Sequence, residues 1–479
     1  MASQGCNQAL RRTSRYRAFV IATVLCQALT ILVAQTPKPS ATTTNEKMSA
    51  CRTEQTQLFC GLIAWSFGER ATDELNDVAE RYAHLVLALG QHDPDYVDAF
   101  YGPAEWKTQA EKEKKSLEAI GAEAAALSAI VAKTSESSND ELLQLRREYL
   151  QKQISALAAR VRMLKGEKLK FDDESRALYD AVAPTFPDTH LDEIISQLES
   201  KIPGKGPLSA RYQKWRKAFV IPKEKLDAVF QLAIKECRAR TLAHVSLPPN
   251  ESFTVEYVTN KPWGGYNWYK GDFHSVIMVN TDLPSYIDRA IDLAAHEGYP
   301  GHHVYNGLLE KNMVRDRGWL EFSVYALFSP QALVAEGSAN YGRDVVFTKA
   351  ERMKFEKEVL FPAAGIDPKR ADEYYAVQDL LKELSYAVNE AARRLIDGKI
   401  DENAAAQWLE KFALMEPARA QQRVKFIQRY RSYVINYNLG EDIIRGYIEK
   451  RSGGDAEKRW SEFAKLLSSP RLPNAVTQE

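Results

Sequence analysis

The stretch IDLAAHEGYPGHHVYNGLLE, Ile291–Glu310, holds three of the chain's eight histidines, His296, His302 and His303, with Glu297 directly after the first. A helix that grips zinc usually reads H-E-x-x-H, which sets two histidines one turn apart. Here Pro300 stands where the second histidine belongs. On a regular helix His296 and His303 share a face but lie roughly 10 Å apart along the axis. Bonds from zinc to imidazole of about 2.0–2.1 Å cannot span that gap, and His302 points away from His296 altogether. The helix therefore has to bulge. Gly298, Pro300 and Gly301 suit a bulge, because proline removes a backbone donor and glycine tolerates strained angles. Looping out two residues makes HEGYPGHH equivalent to H-E-x-G-H, with His296 and His302 one turn apart and Glu297 facing the same ion. Breaking a helix costs about 3 kcal/mol or more, which a helix serving only the core has little reason to carry. If the bulge is phased differently, His303 replaces His302 as ligand, or it steadies the zinc shell through a hydrogen bond.

Working outward, a third ligand is expected on a neighbouring helix. SPQALVAEGSANYGRDVVF supplies Glu336, flanked by Ala335, Gly337, Ser338 and Ala339, small residues that let this helix approach the first closely. Two histidines, a glutamate and an open position form a catalytic zinc arrangement, so Zn2+ is the expected cofactor. Asp292, one turn before His296, and Asp344, two turns after Glu336, are candidate carboxylates behind the ligands.

The chain has 479 residues, 45% hydrophobic and 27% charged, with Lys+Arg 64 against Asp+Glu 64. That composition suits a large globular core, and the zero net charge gives no electrostatic case for nucleic acid. Arg11–Arg17 followed by the apolar run Ala18–Ala34 and a Pro/Ser/Thr-rich stretch has the layout of an export signal. Residues 1–35 are read as signal or N-terminal anchor, 36–70 as linker, and the protein as periplasmic or extracellular, touching a membrane only through that segment. Cys51, Cys60 and Cys237 fall in the mature part, where a Cys51–Cys60 disulfide and buried free thiols are both open readings.

From Thr72 the apolar residues recur at helical intervals for most of the chain. ATDELNDVAERYAHLVLALG predicts a helix ending at Gly90; the runs from Gly102 to Lys133 and Ser138 to Leu169 predict two further long helices, packed as an antiparallel pair with charged outer faces. The period changes at Glu251. Ser252 to Asn280 alternates and is rich in aromatic and β-branched residues, which predicts a small antiparallel sheet beside the His-rich helix. Residues 71–470 are thus expected to form a single, mainly α domain with one small sheet at about 252–280.

HEGYPGHH followed by AEGSANYG resembles the bacterial domain-of-unknown-function family numbered 885, whose members carry H-E-x-x-P-G-H-H and then E-G-x-A-x-Y. The resemblance covers roughly Ala71 to Tyr447. That family is similar to the gluzincin peptidases, helical clamshells around a deep groove, and the resemblance implies a large helical metallopeptidase-like fold with zinc. The chain departs from the pattern twice. RSYVINYNLG keeps Tyr437 and Gly440 of P-G-Q-A-x-x-Y-K-x-G but lacks the Pro-Gly-Gln, and Ser338 stands where the family often has tryptophan.

The expected activity is a zinc-dependent hydrolase, foremost a metallopeptidase acting on short peptides, with Glu297 as general base. Tyr437, with Tyr433 as its competitor, is the candidate donor to the oxyanion. His274 and Tyr433 are candidate substrate contacts, and Asn267, Trp268 and Tyr269 would lie near a peptide added to the sheet as a further strand. A zinc amidase or esterase would show the same ligands and base. A noncatalytic exported binding protein is the rival from another class; retention of Glu297 argues against it, because a structural zinc site needs no base.

Overall fold

A computed structural model describes residues 72–134, 140–261 and 263–478. The expected export signal, the linker, Cys51 and Cys60 lie outside the described residues. Helix α1 covers 72–89 and stops at Gly90, as its periodicity predicts. The next predicted helix is two: Ala104–Glu113 ends at Lys114, whose φ of 43° is left-handed, and α2, Leu117–Lys133, restarts on a Ser116 cap that accepts from the Ala119 N–H. Such a cap stabilises a helix start by about 1 kcal/mol, so Ser116 turns one periodic run into two rods. Helix α3, Glu141–Leu164, then packs against α2 as the expected pair.

The sheet at Ser252–Asn280 is mixed rather than purely antiparallel. Strand β2 (Ser252–Val258) runs parallel to β4 (His274–Asn280), which pairs antiparallel with β3 (Gly265–Gly271), giving the order β2-β4-β3. The alternation of a strand reports which face is buried, not which neighbour it pairs with. Here the tight Asp272–Phe273 turn, both residues at positive φ, folds β4 back on β3 and leaves β2 to join from the far side. A second, two-stranded sheet pairs β1 (Val97–Phe100) with β5 (Val324–Ala326) and was not anticipated. The fully buried Arg146–Glu321 pair, 2.6 Å, ties α3 to the turn just before β5.

The centre of the molecule is apolar and helical. Helix α4 (Leu226–His244) packs behind the His-rich segment, and α7 (Pro330–Val346) packs along α8 (Ile435–Ser452). Helix α7 packs against the His-rich turn, but Gly337, one of the small residues expected to admit it, makes its closest approach elsewhere. A Cβ on Gly337 would sit 2.4 Å from the Gly440 carbonyl carbon, so these two glycines let α7 and α8 touch backbone to backbone; Gly342 is the residue that faces Pro300. Cys237 is buried and free. No helix among the described residues is long and apolar enough to cross a membrane.

Candidate metal centre

The His-rich segment is broken where the bulge is expected. Helix α5 (Asp288–Leu293) widens into a π-helical turn at Ala294–Gly298, the chain leaves helical geometry, and α6 (His302–Leu309) starts afresh at His302. The return is tight. A Cβ on Gly301 would lie 1.9 Å from the His296 carbonyl oxygen, so only glycine lets the backbone close up there. The His296 and His302 rings end 4.6 Å apart and perpendicular, with their Nε2 atoms 3.1 Å from each other.

Glu336, on α7, completes the group. One ligand atom from each of His296, His302 and Glu336 lies within 4.8 Å of the others. Glu336 Oε2 stands 3.4 Å from His296 Nε2 and 3.8 Å from His302 Nε2, yet it is buried with no hydrogen-bond partner among the described residues. Asn340 fixes one proton's place. Its Nδ2 donates to the Tyr437 carbonyl at 2.7 Å, so its Oδ1 must accept from His296 Nδ1 at 2.9 Å. A neutral His296 with its proton on Nδ1 turns a lone pair inward from Nε2. That lone pair would meet His302 Nε2 and Glu336 Oε2, and two imidazoles with a carboxylate are a donor set that suits zinc.

Without a cation the charges are shared. Burial disfavours a charged His302, but Glu336, with Glu297 and Asp98 beyond it, pushes it up to about 9. Burial alone would raise Glu336; His296 and His302 instead hold its carboxyl well below the usual carboxylate range.

The group lines a cavity of about 780 Å³, which Glu297 also lines. Strand β3 lies close over that carboxylate: a Cβ on Gly265 would meet Glu297 Oε1 at 2.7 Å, and Asn267 Nδ2 donates to the Glu297 carbonyl at 2.6 Å. Tyr437 lines the cavity, and its hydroxyl has no hydrogen-bond partner among the described residues. Tyr433 is placed differently from a substrate contact. Its hydroxyl donates to Glu336 Oε1 at 2.8 Å, so it holds the carboxylate that faces the histidines.

Other expected positions are not brought to the site. His303 is buried on the opposite side, between Ser275 Oγ at 2.9 Å and Glu251 Oε2 at 3.0 Å; one residue further along a helix turns a side chain by about 100°, and the break leaves His302 facing the cavity. Asp292 lines the cavity but spends its charge on Arg352 at 3.0 Å and Arg343 at 3.4 Å; the partner behind His296 is Asn340. Asp344 pairs with Arg445 and Arg343. His274 bonds Ser252 Oγ at 3.1 Å on the β2 side of the sheet, outside the cavity lining. On β3 the alternation sends Trp268 to solvent and buries Tyr269 against Glu310 at 2.5 Å, so Gly265, Tyr266 and Asn267 line the cavity instead.

Two residues at the site carried no motif. Asp98, on β1, accepts from the Tyr266 hydroxyl at 3.2 Å. Burial pushes it up to about 6, against the pull of His302 and of that hydrogen bond. Asn340 had a signal available, because it lies one turn after Glu336 and so shares its helix face.

No family model matches the chain, and no curated protein matches it. Among solved structures, a predicted lipoprotein of Colwellia psychrerythraea is similar at 16% identity and a TM-score of 0.45, over 75% of this chain and 68% of that one. A predicted lipoprotein of unknown function from Shewanella oneidensis is similar at 14% identity and a TM-score of 0.44, over 78% and 75%. An M32 carboxypeptidase from Deinococcus radiodurans R1 is similar at 12% identity and a TM-score of 0.40, over 84% of this chain and 89% of that one. Likeness of this degree carries no functional inference, and the site's own geometry has to.

Proposed function

We propose that this chain is an exported zinc-dependent hydrolase that cleaves short peptides. The observation that supports the reading is the convergence of His296, His302 and Glu336 on one point, with the Glu297 carboxylate on the same cavity. Bound there, zinc would supply a Lewis acid for the scissile carbonyl and the acidified water that hydrolysis needs. The Glu297 carboxylate takes the proton of the attacking water and delivers it to the leaving nitrogen as the C–N bond breaks. Its position under Gly265 fixes the carboxylate on the side where β3 would present an extended peptide. The free Tyr437 hydroxyl donates to the carbonyl oxygen as negative charge develops there. Burial, and then Glu336, raise both Tyr433 and Tyr437 well above the ordinary tyrosine range, so both stay protonated donors. Asn340 and Tyr433 keep His296 and Glu336 aimed. Export rests on the basic and then apolar N-terminal stretch up to Ala34.

The test is metal content of the purified protein beside a Glu297→Gln variant, with both offered a mixed library of short peptides. About one zinc per chain in each, with cleavage by the parent alone, is the expected result. No zinc after metal repletion would refute the site, and zinc without hydrolysis of any peptide would refute the activity.

A further inference from the structure

The helix Pro417–Tyr430 forms one wall of the cavity. Arg419, Arg423, Phe426 and Tyr430 all line it, and their spacing of four, three and four puts them on a single helix face. Arg289, from α5, joins the same lining. Arg423 lies with its guanidinium 4.9 Å from the Phe426 ring centre. Among the described residues none of these three arginines has an ion pair or a hydrogen bond to a carboxylate. Arg343, in the same lining, differs, since it pairs with Asp292, Asp344 and Glu441, and the lining carboxylate Asp95 is taken by Arg429.

The remaining lining carboxylates do not compensate the cluster. Asp282 is exposed and accepts the Asn260 N–H at 2.7 Å, Asp98 accepts from Tyr266, and Glu297 and Glu336 belong to the metal centre. Burial lowers the Arg419 pKa first, and the charges that lower it further are Arg423, Arg216 and Arg289. Arg423 and Tyr437 line the same cavity. Arg423 acts on Tyr437, which also feels Glu336 and Glu297.

Arg289 acts on Asp292 at a distance, but Arg419 and Arg423 face no paired carboxylate among the described residues; like charges held together repel, and planar guanidinium forks match carboxylates. A free peptide C-terminus brings one carboxylate, fewer than this wall has forks for. We propose that Arg289, Arg419 and Arg423 bind a dianionic substrate end, the C-terminal residue of a short peptide whose own side chain is acidic, glutamate or aspartate. The placement of the scissile bond beside this wall rests on the hydrolase reading above; the binding of the anion does not.

The experiment titrates the full-length, metal-free protein with Ala-Ala-Glu, Ala-Ala-Gln and Ala-Ala-Gln-amide by calorimetry, then follows cleavage of the same peptides by the zinc-loaded protein. Each charge removed is expected to weaken binding about tenfold, and Arg419→Gln with Arg423→Gln is expected to flatten the series. The amide peptide needs no variant, so a folding defect in the double variant leaves the test intact. Equal binding of the three peptides overturns the proposal, and so does inorganic phosphate binding as tightly as Ala-Ala-Glu. Cleavage at equal rates whatever the terminal charge also overturns it and leaves the hydrolase reading standing. Charge-dependent binding with no cleavage supports the arginine wall and refutes only the placement of the scissile bond beside it.

Discussion

Replacing Asn340 by leucine keeps the side-chain volume and removes two hydrogen bonds, the one accepted from His296 Nδ1 at 2.9 Å and the one given to the Tyr437 carbonyl at 2.7 Å. The first loss frees the imidazole to rotate and to carry its proton on Nε2, the atom that faces Glu336 and His302. Losing such a partner behind a metal-binding histidine typically weakens the metal 10–100-fold, equivalent to about 1.4–2.7 kcal/mol. The second loss removes one of two donors to a carbonyl inside α8, whose intrahelical bond remains, and costs about 0.5–1.5 kcal/mol of stability. The two effects separate by design. Asn340→Asp still accepts from Nδ1 but cannot donate to Tyr437, so it should keep zinc affinity near the parent's and share the stability loss. Competition with a chromophoric chelator, well below the unfolding temperature, reads the zinc Kd of all three proteins. An Asn340→Leu protein that is folded and binds zinc as tightly as the parent would refute the role assigned to Asn340.

Further outcomes follow from the same geometry. His302→Asn should abolish stoichiometric zinc binding, whereas His303→Asn should retain zinc and lower Tm, because His303 is buried against Ser275 and Glu251; metal analysis of both decides between them. Gly337→Ala places a Cβ 2.4 Å from Gly440, well inside the ~3.5–4.0 Å of a carbon–carbon contact. Overpacking of about 1–3 kcal/mol, offset by up to ~1 kcal/mol of helix propensity, should lower Tm by a few degrees; an unchanged Tm would contradict the backbone contact of α7 with α8. Glu356 is fully buried beside Arg352 at 3.0 Å, and burial, against the pull of Arg352, pushes it up to about 7 from 4.5. The folded state thus holds its proton where the unfolded chain has lost it, so Glu356 makes stability fall as pH rises from about 4.5 to 7. Glu356→Gln should remove that slope, measured by denaturant unfolding across pH, and a parallel profile for both proteins would show that Glu356 is not the group responsible.

Helices announce themselves through local repetition, and so did most of this fold. Where the chain broke a helix, the cause was a single residue that periodicity averages over, as at Lys114 before the Ser116 cap or at Arg431, whose φ of 52° ends Pro417–Tyr430. Strand pairing was less legible. The alternation in Ser252–Val258 marks a strand, but nothing in it says that its neighbour is β4 and the pairing parallel.

The candidate site divides the same way. His296, Glu297, His302 and Glu336 were nameable from sequence because bond lengths to zinc rule out an unbroken helix, and Gly298, Pro300 and Gly301 advertise the break. What the sequence left open, between His302 and His303 and between Asp292 and any other partner, depended on the phase of that break and on side chains arriving from distant segments. Asn340 behind His296, Tyr433 behind Glu336, Glu251 behind His303 and Asp98 beneath Tyr266 are all tertiary contacts, the last across a separation of 168 residues. A sequence carries the donors of a site because chemistry restricts their types, but the groups that aim and charge them are chosen by packing, which has no local period to read.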